Sequence, residues 1–252
     1  MNNYDEIKKL YDNNSIYNNE FTDYSDDFSF WIYWINKIKP KSILEIGIGN
    51  GRLIKLLANL VLVYDGLDIS KNIIDDFLFK NNWYKGTIFN QDMKNIEIGK
   101  TYDLIMLPFN TFCYLYTISD FEHFFSGIKR ISNDNSLIAI DVINPNINDI
   151  ADQNEYKLCN QFFIEGKKCK LYERHHYDYN TQIINYEKKY VFPDGKTIKF
   201  NLPVRIFFHQ ELLNLFNLFG YEIVNVIGDY NNEKYSSDSR KQIIFIRRSD
   251  KR

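Results

Sequence analysis

The chain has 252 residues, 44% of them hydrophobic, with 33 acidic against 31 basic side chains and a formal net charge of −2. That length suits one α/β domain with an insertion, or two small domains. The near-even charge argues against a nucleic-acid partner held through its phosphates, and no apolar run approaches the roughly 18 residues of a membrane span.

The opening Met-Asn-Asn-Tyr-Asp-Glu lacks the basic and apolar regions of a signal peptide. The three cysteines, Cys113, Cys159 and Cys169, form no CxxC pair and read as reduced thiols of a cytoplasmic protein. Residues 4–12 read as a short helix with Ile7 and Leu10 on one face. Residues 13–27 are polar and aromatic, with Tyr17, Phe21 and Tyr24. Asp26 or Asp27 can cap a helix through Phe28, Trp31, Ile32, Trp34, Ile35 and Ile38, and Pro40 ends it.

Ile43, Leu44 and Ile46 then form a short apolar run fit for a buried parallel strand. It breaks into Gly47, Gly49 and Gly51, and a helical pattern follows in Leu53, Ile54, Leu56 and Leu57. Strand, glycine turn and helix make a nucleotide-binding turn, because glycines let the backbone approach a ligand. A dinucleotide fingerprint would be G-x-G-x-x-G, but here Arg52 stands at its last position and the third glycine comes one residue early. Glu45 lies two residues before the first glycine. A carboxylate there repels a pyrophosphate and can hold an ammonium, which speaks against a nicotinamide oxidoreductase. Acid-x-Gly-x-Gly-x-Gly after an apolar strand resembles the first motif of class I S-adenosylmethionine-dependent methyltransferases.

A second strand ends at Asp68, about 20 residues beyond the turn, where a carboxylate can accept both hydroxyls of a ribose. The alternative for Asp68 is a cap on the helix that begins at Ser70. That helix carries Ile73, Ile74, Phe77 and Leu78, and Thr87–Asn90 is a third strand. The resemblance implies S-adenosylmethionine as cofactor, with Asp92 at the adenine amino group and Met93 on the adenine ring. It also implies a cofactor set of Tyr17, Glu45, Gly47, Gly49, Gly51, Asp68, Ile69, Asp92, Met93 and Pro108. Residues 102–107 form a fourth strand whose carboxyl end, Pro108-Phe109-Asn110, points into the ligand crevice of an open α/β sheet. In the family that loop lies beside the sulfonium, so Phe109 and Asn110 are substrate candidates, as is Tyr11 from the opening segment. Asp120 to Ile131 is a helix. Residues 136–143 are a fifth strand, with Asp141 and Asn144 facing either substrate or loop backbone.

From about residue 151 to 208 the helix–strand rhythm gives way to alternating runs at 168–179, 182–192 and 197–208. Asn180-Thr181 and Pro193-Asp194-Gly195 supply the turns. In the resembling small-molecule enzymes such a meander walls the substrate. Tyr172, Arg174, His176 and Asp178 share one face, and Glu173, His175 and Tyr177 the other. On the last run, Val204 and Ile206 on the core would turn Arg205 outward toward a site mouth, where a guanidinium can hold a phosphate or carboxylate; the alternative is a surface pair with Glu187. His209 opens a helix ended by Gly220, and residues 221–227 and 242–246 are the last strands.

The expected architecture is α/β: a Rossmann-like, seven-stranded, mostly parallel sheet with helices on both faces, plus an antiparallel meander insertion. The expected layout is one domain. It comprises cap helices at 1–40, a cofactor-binding core at 41–150, the insertion at 151–208, and a final helix with two strands at 209–252. The tyrosine-rich opening, Leu107–Asn110 and the run 205–213 resemble bacterial enzymes that methylate sugar amines, glycine-like amines and related metabolites. The resemblance implies methylation of a small soluble acceptor, with an amine ahead of a hydroxyl. A monomer or homodimer is expected, and no metal, because a metal-assisted enzyme would want carboxylates clustered after the fourth strand and Phe109-Asn110-Thr111 offers none. A hydroxyl acceptor would want a base, for which His175, His176 and Asp141 are the candidates. A cofactor-binding module without catalysis is the reading from another class.

Overall fold

The computed structural model describes residues 3–21 and 23–249. The core sheet has seven strands in the order β10-β11-β5-β4-β1-β2-β3. These are β1 (Ser42–Ile46), β2 (Val63–Asp68), β3 (Ile88–Asn90), β4 (Leu104–Leu107), β5 (Leu137–Ile143), β10 (Tyr221–Ile227) and β11 (Lys241–Arg248). Strands β1 to β5 pair in parallel, and β11 runs antiparallel to both β5 and β10. The order reverses at β1, because β2 lies on one side of it and β4 on the other. A crevice opens at such a switch point, outside the carboxyl ends of the strands.

Both faces of the sheet are covered, which is why its strands are apolar on consecutive residues. In β4, Ile105 and Leu107 join one core cluster, while Leu104 and Met106 join the other. The first cluster packs α6 (Ile118–Ile131) and α8 (His209–Leu218) through Phe121, Phe124, Leu212 and Phe216. The second packs α3 (Phe28–Ile38), α4 (Arg52–Leu57) and α5 (Lys71–Lys80) through Phe30, Trp31, Leu53 and Phe77.

After α7 (Ile147–Ile150), a second sheet of four antiparallel strands follows in the order β6-β7-β8-β9. The strands are β6 (Gln153–Ile164), β7 (Lys167–Asp178), β8 (Ile183–Val191) and β9 (Thr197–Arg205). One face of it continues the core through Tyr177, Ile184 and Val204. Farther along, Leu171 and Tyr190 pack on Leu10 and Ile16 of α1 (Asn3–Tyr11) and α2 (Asn14–Glu20). The two N-terminal helices therefore bridge the sheets. Asn14 and Asn18 tie α2 to α5, at the Asn72 carbonyl and the Asp76 carboxylate, each over 2.8 Å.

Helix α2 and strand β6 escape the sequence reading, as does the short helix α7. Helix α2 buries only Ile16, so it shows no periodic face; its start is marked by Asn13, whose side chain accepts the Ile16 N–H at 3.2 Å. Strand β6 is an edge strand with a mostly exposed, polar sequence and two register irregularities, so the meander has four strands where three alternating runs are visible. A further correction concerns Asp27. It stands at the N-cap of α3 yet makes no capping hydrogen bond, because its carboxylate is taken by Arg52.

Gly51 illustrates how tightly the turn is packed. Its φ is +69°, and a Cβ there would lie 2.2 Å from Phe77 Cε2. We expect Gly51→Ala to lower unfolding free energy by about 2–4 kcal/mol, from left-handed strain plus overpacking. Urea titration measures this; a loss below about 0.5 kcal/mol would mean that α5 moves aside freely.

Candidate functional site

A cavity of about 690 Å³ lies over the carboxyl ends of β1, β2 and β4, enclosed by α1, α2 and the second sheet. Its size falls within the ordinary range of small-molecule sites. Of the cofactor candidates, Tyr17, Glu45, Gly47, Gly49, Asp68, Ile69, Asp92, Met93 and Pro108 line it, and so do the substrate candidates Tyr11, Phe109 and Asn110.

The turn end of the cavity is built from backbone and carboxylates. Asp68, at the end of β2, accepts the Gly49 N–H on Oδ2 and the Ser70 N–H on Oδ1, both at 2.9 Å. One backbone donor per oxygen fixes the carboxylate and leaves each oxygen a second lone pair for a ligand hydroxyl. Helix α5 is capped by Ser70 itself, whose hydroxyl takes the Ile73 N–H. Burial raises the Asp68 pKa, against those backbone donors. At Gly49, whose φ is +52°, a Cβ would lie 2.5 Å from the Tyr17 hydroxyl. Glu45 is 2% exposed, with Oε2 accepting the Tyr64 hydroxyl at 2.8 Å. Desolvation pushes its pKa up to about 8, while the Tyr64 hydrogen bond and Arg52 pull the other way. Asp92 stands at the far wall, its Oδ1 accepting the Lys94 N–H at 2.9 Å. Lys94 Nζ lies 3.7 Å from both Asp92 and Asp120.

Above these groups sits an aromatic roof. The Tyr11 and Tyr114 hydroxyls meet at 2.5 Å, and Tyr17 packs edge-on to Tyr11 at 5.1 Å. Burial raises the pKa of all three phenols, so they remain neutral hydrogen-bonding groups. Phe109 has φ +54° and Asn110 φ +65°, a left-handed pair uncommon outside glycine. The pair is held from behind: the Phe109 N–H donates to Asp141 Oδ2 at 2.9 Å, and Asn110 Oδ1 accepts the Ile143 N–H at 2.7 Å.

Several candidates lie elsewhere. Gly51 does not line the cavity; it packs on Phe77 at the start of α4. Asp141 is fully buried behind Phe109, bonded by the Tyr230 hydroxyl at 2.7 Å and 3.3 Å from Lys241 Nζ. Asn144 holds the loop before β11, through the Ser239 carbonyl at 2.8 Å and the Tyr235 hydroxyl at 3.0 Å. His175 bonds the Ala151 carbonyl at 2.9 Å and His176 bonds Asp152 at 2.8 Å, both at the outer end of β7 beside a separate, open depression. These three candidate bases are thus not brought to the cavity. Arg205 turns away from it, onto Glu211 at 2.7 Å and the Tyr116 carbonyl at 2.5 Å. Val204 and Ile206 line the cavity instead, so the core-facing side of β9 is the site side. Glu187 pairs with Arg174, not Arg205.

Other lining groups carry no motif. Glu20 ends α2, Tyr114 follows β4 in a short 3-10 turn, and Lys188 comes from β8. Glu173 lines the cavity too, which identifies the face of β7 that turns inward.

Residues 43–135 match a family described as a methyltransferase domain. A protein of Geobacillus sp. (strain WCH70), whose name offers it as a proposed methyltransferase, is 29% identical over 104 residues, covering 40% of this chain and 42% of that one. The fold matches a S-adenosylmethionine-dependent methyltransferase from Clostridium acetobutylicum ATCC 824 with a TM-score of 0.78 at 14% identity, over 98% of this chain and 100% of the other. It matches the CcbJ methyltransferase from Streptomyces caelestis with a TM-score of 0.79 at 18% identity, over 97% of each. SAM-bound CalS10, an amino pentose methyltransferase from Micromonospora echinaspora, follows with 0.69 at 13% identity, over 91% of this chain and 94% of that one.

Glu45 makes stability depend on pH. Its folded-state pKa, about 8, stands above the ordinary 4.5, so the buried carboxyl favours folding most when protonated. That contribution is complete below the unfolded value and is lost as pH rises through 8. We expect the ligand-free protein to lose stability between about pH 5 and about pH 8, and Glu45→Gln to lose less over the same range. Urea midpoints across that range decide it; parallel curves for the two proteins would place a charged Glu45 in the fold at neutral pH.

Proposed function

We propose that this chain, which matches a methyltransferase domain over residues 43–135 and shares the fold of S-adenosylmethionine-dependent methyltransferases, methylates a small soluble metabolite from that cofactor, and that the accepting atom is an amine nitrogen. The observation that carries the reading is the enclosed cavity at the switch point, with the glycine turn and Asp68 at one end and the second sheet over the other. An enclosure of that size admits a metabolite and not a folded macromolecule.

The residues present fit the cofactor. Asp68 would hold the ribose hydroxyls on the lone pairs its backbone donors leave, and Asp92 with Met93 would hold the adenine. Gly47 and Gly49 let the chain approach without a side chain, and Glu45 offers a buried carboxyl to the ammonium end. S-adenosylmethionine supplies a methyl group already activated on a sulfonium, so the protein's task is to orient the acceptor and exclude water. Phe109, its backbone fixed by Asp141, and the roof of Tyr11, Tyr17 and Tyr114 serve both ends.

The amine is favoured over a hydroxyl because no histidine is among the described residues that line the cavity, and the carboxylates on its walls are already held by backbone N–H groups, Tyr64 or lysines. A neutral amine carries its own lone pair, whereas a hydroxyl wants a positioned base. His175, His176 and Asp141 all lie outside the cavity. The amino pentose acceptor of CalS10 is in keeping with this choice.

Calorimetry should show S-adenosylhomocysteine binding to the protein far more tightly than NAD. Asp68→Ala should weaken that binding by about ten- to a hundred-fold, since a lost charged hydrogen bond costs about 1.5–3 kcal/mol. Affinity within twofold of wild type would reduce Asp68 to a stitch between the glycine turn and α5. For the reaction, cell extract supplied with methyl-labelled S-adenosylmethionine and the enzyme should yield a small N-methylated product by mass spectrometry. Label appearing only on oxygen would overturn the amine assignment.

A further inference from the structure

The wall facing the turn carries a buried charge cluster that no cofactor role uses. Lys188 of β8 has its side chain 6% exposed, with Nζ 2.6 Å from Glu20 Oε1 and 3.3 Å from Glu173 Oε1. Glu20, its side chain 5% exposed, also accepts the Tyr190 hydroxyl at 2.6 Å. Burial and the neighbouring Glu20 raise the Tyr190 pKa, which keeps it a donor. Glu20 is thus bonded on both oxygens, and Lys188 is spent between two carboxylates. Glu173 is the member most open to the cavity, its side chain 22% exposed.

The cluster sits one aromatic ring beyond Phe109. The Phe21 ring lies 5.5 Å from Phe109 and 5.7 Å from Lys188 Nζ. The face carrying these charges also presents Tyr186, two residues before Lys188 on β8, and Leu202, its partner on β9. A group on an acceptor whose reacting atom lay beside Phe109 would therefore meet one ring surface and, past Phe21, a wall with two carboxylates for one ammonium. Such a wall accepts hydrogen bonds and repels anions. A single lysine turned toward the cavity would do the opposite. Here the register Glu173↔Lys188 and the end of α2 neutralise it from both sides.

We propose that Glu173, set in place by Lys188, selects the acceptor, taking hydrogen-bond donors of a hydroxylated or ammonium-bearing ring compound and excluding acceptors with a phosphate or carboxylate at that position. This rests on the methyltransferase reading and adds the acceptor's chemistry to it. It also reverses the expectation attached to Arg205, which would have sought an anion. Glu173 is the specificity residue; Lys188 and Glu20 position it. Glu173→Gln keeps the shape and leaves Lys188 paired with Glu20, so the fold is retained while the cavity loses an anionic acceptor.

The test uses the protein saturated with S-adenosylhomocysteine and three probes observed by saturation-transfer NMR. D-glucosamine offers an ammonium and hydroxyls, methyl α-D-glucopyranoside offers hydroxyls alone, and D-glucose 6-phosphate adds an anion. At least one of the first two should bind, which tells ammonium from hydroxyl preference, and the phosphate should not. Glu173→Gln should weaken the binding of the preferred probe by about tenfold or more, with S-adenosylhomocysteine affinity within about twofold of wild type. Binding of the phosphate as well as the donor probes would overturn the proposal. So would no binding of either donor probe, or equal binding to wild type and variant. Failure of S-adenosylhomocysteine itself to bind would overturn the methyltransferase reading, and this one with it.

Discussion

The interaction that ties this molecule together is the ion pair between Asp27 and Arg52. The guanidinium meets the carboxylate with two parallel hydrogen bonds, at 2.5 and 2.7 Å, and Trp31 Nε1 donates to the same carboxylate at 3.1 Å. Asp27 is fully buried, and the Arg52 side chain is 14% exposed. A buried charge pair does little for net stability, but losing one partner leaves a stranded charge and costs about 3–5 kcal/mol. The geometry it enforces is the consequence that matters. It joins the first residue of α4, at the glycine turn, to the start of α3, where the N-terminal segment enters the core. Arg52 also lies 5.0 Å from the Tyr24 ring and 5.4 Å from Phe109. One side chain therefore ties the turn, the N-terminal segment and the loop after β4 together.

This explains why an arginine occupies the position where a dinucleotide turn has its last glycine. A glycine there would let a pyrophosphate onto the helix start. Arg52 fills that space and is neutralised from below, so the turn end of the cavity is left with the carboxyl groups of Glu45 and Asp68. Both are held in fixed orientations by groups the fold must supply anyway, a tyrosine hydroxyl for Glu45 and backbone N–H groups for Asp68. A carboxylate desolvated in this way is costly until a ligand donates to it, which makes the turn end a site for donors and cations.

The turn end was legible in the sequence because each of its parts is local. Glu45, Asp68 and Asp92 stand at or just beyond the ends of successive strands, and a parallel sheet brings such ends together without further information. The charged wall of β7 and β8 was not legible, because Lys188 and Glu20 are 168 residues apart and meet only through strand register and the end of a helix with no periodic face. Period-two alternation placed Glu173 and His175 on the same face, yet two residues along a strand is about 6.7 Å. That step separates the cavity from its rim, where His175 finds the Ala151 carbonyl. For β9 the alternation was right and the conclusion inverted: Val204 and Ile206 do face inward, and inward is where the cavity lies.

Asp141 shows how a carboxylate near a site can matter without touching it. Its backbone and side chain hold two consecutive residues: the carbonyl accepts the Asn110 N–H at 2.9 Å, and Oδ2 accepts the Phe109 N–H at the same distance. Left-handed geometry at two non-glycine residues in a row persists only where the surroundings over-determine it. Here the surroundings are Asp141 on one side and the rings of Phe21 and Tyr24 on the other, at 5.5 and 4.7 Å from Phe109. The loop after β4 is thereby held in one shape before any ligand arrives. In the proposed reaction, whose chemistry would reside in the cofactor, such pre-organisation is what a protein can contribute to rate. The strain at Phe109 and Asn110 is then the local cost of placing a rigid ring where β4 opens into the crevice.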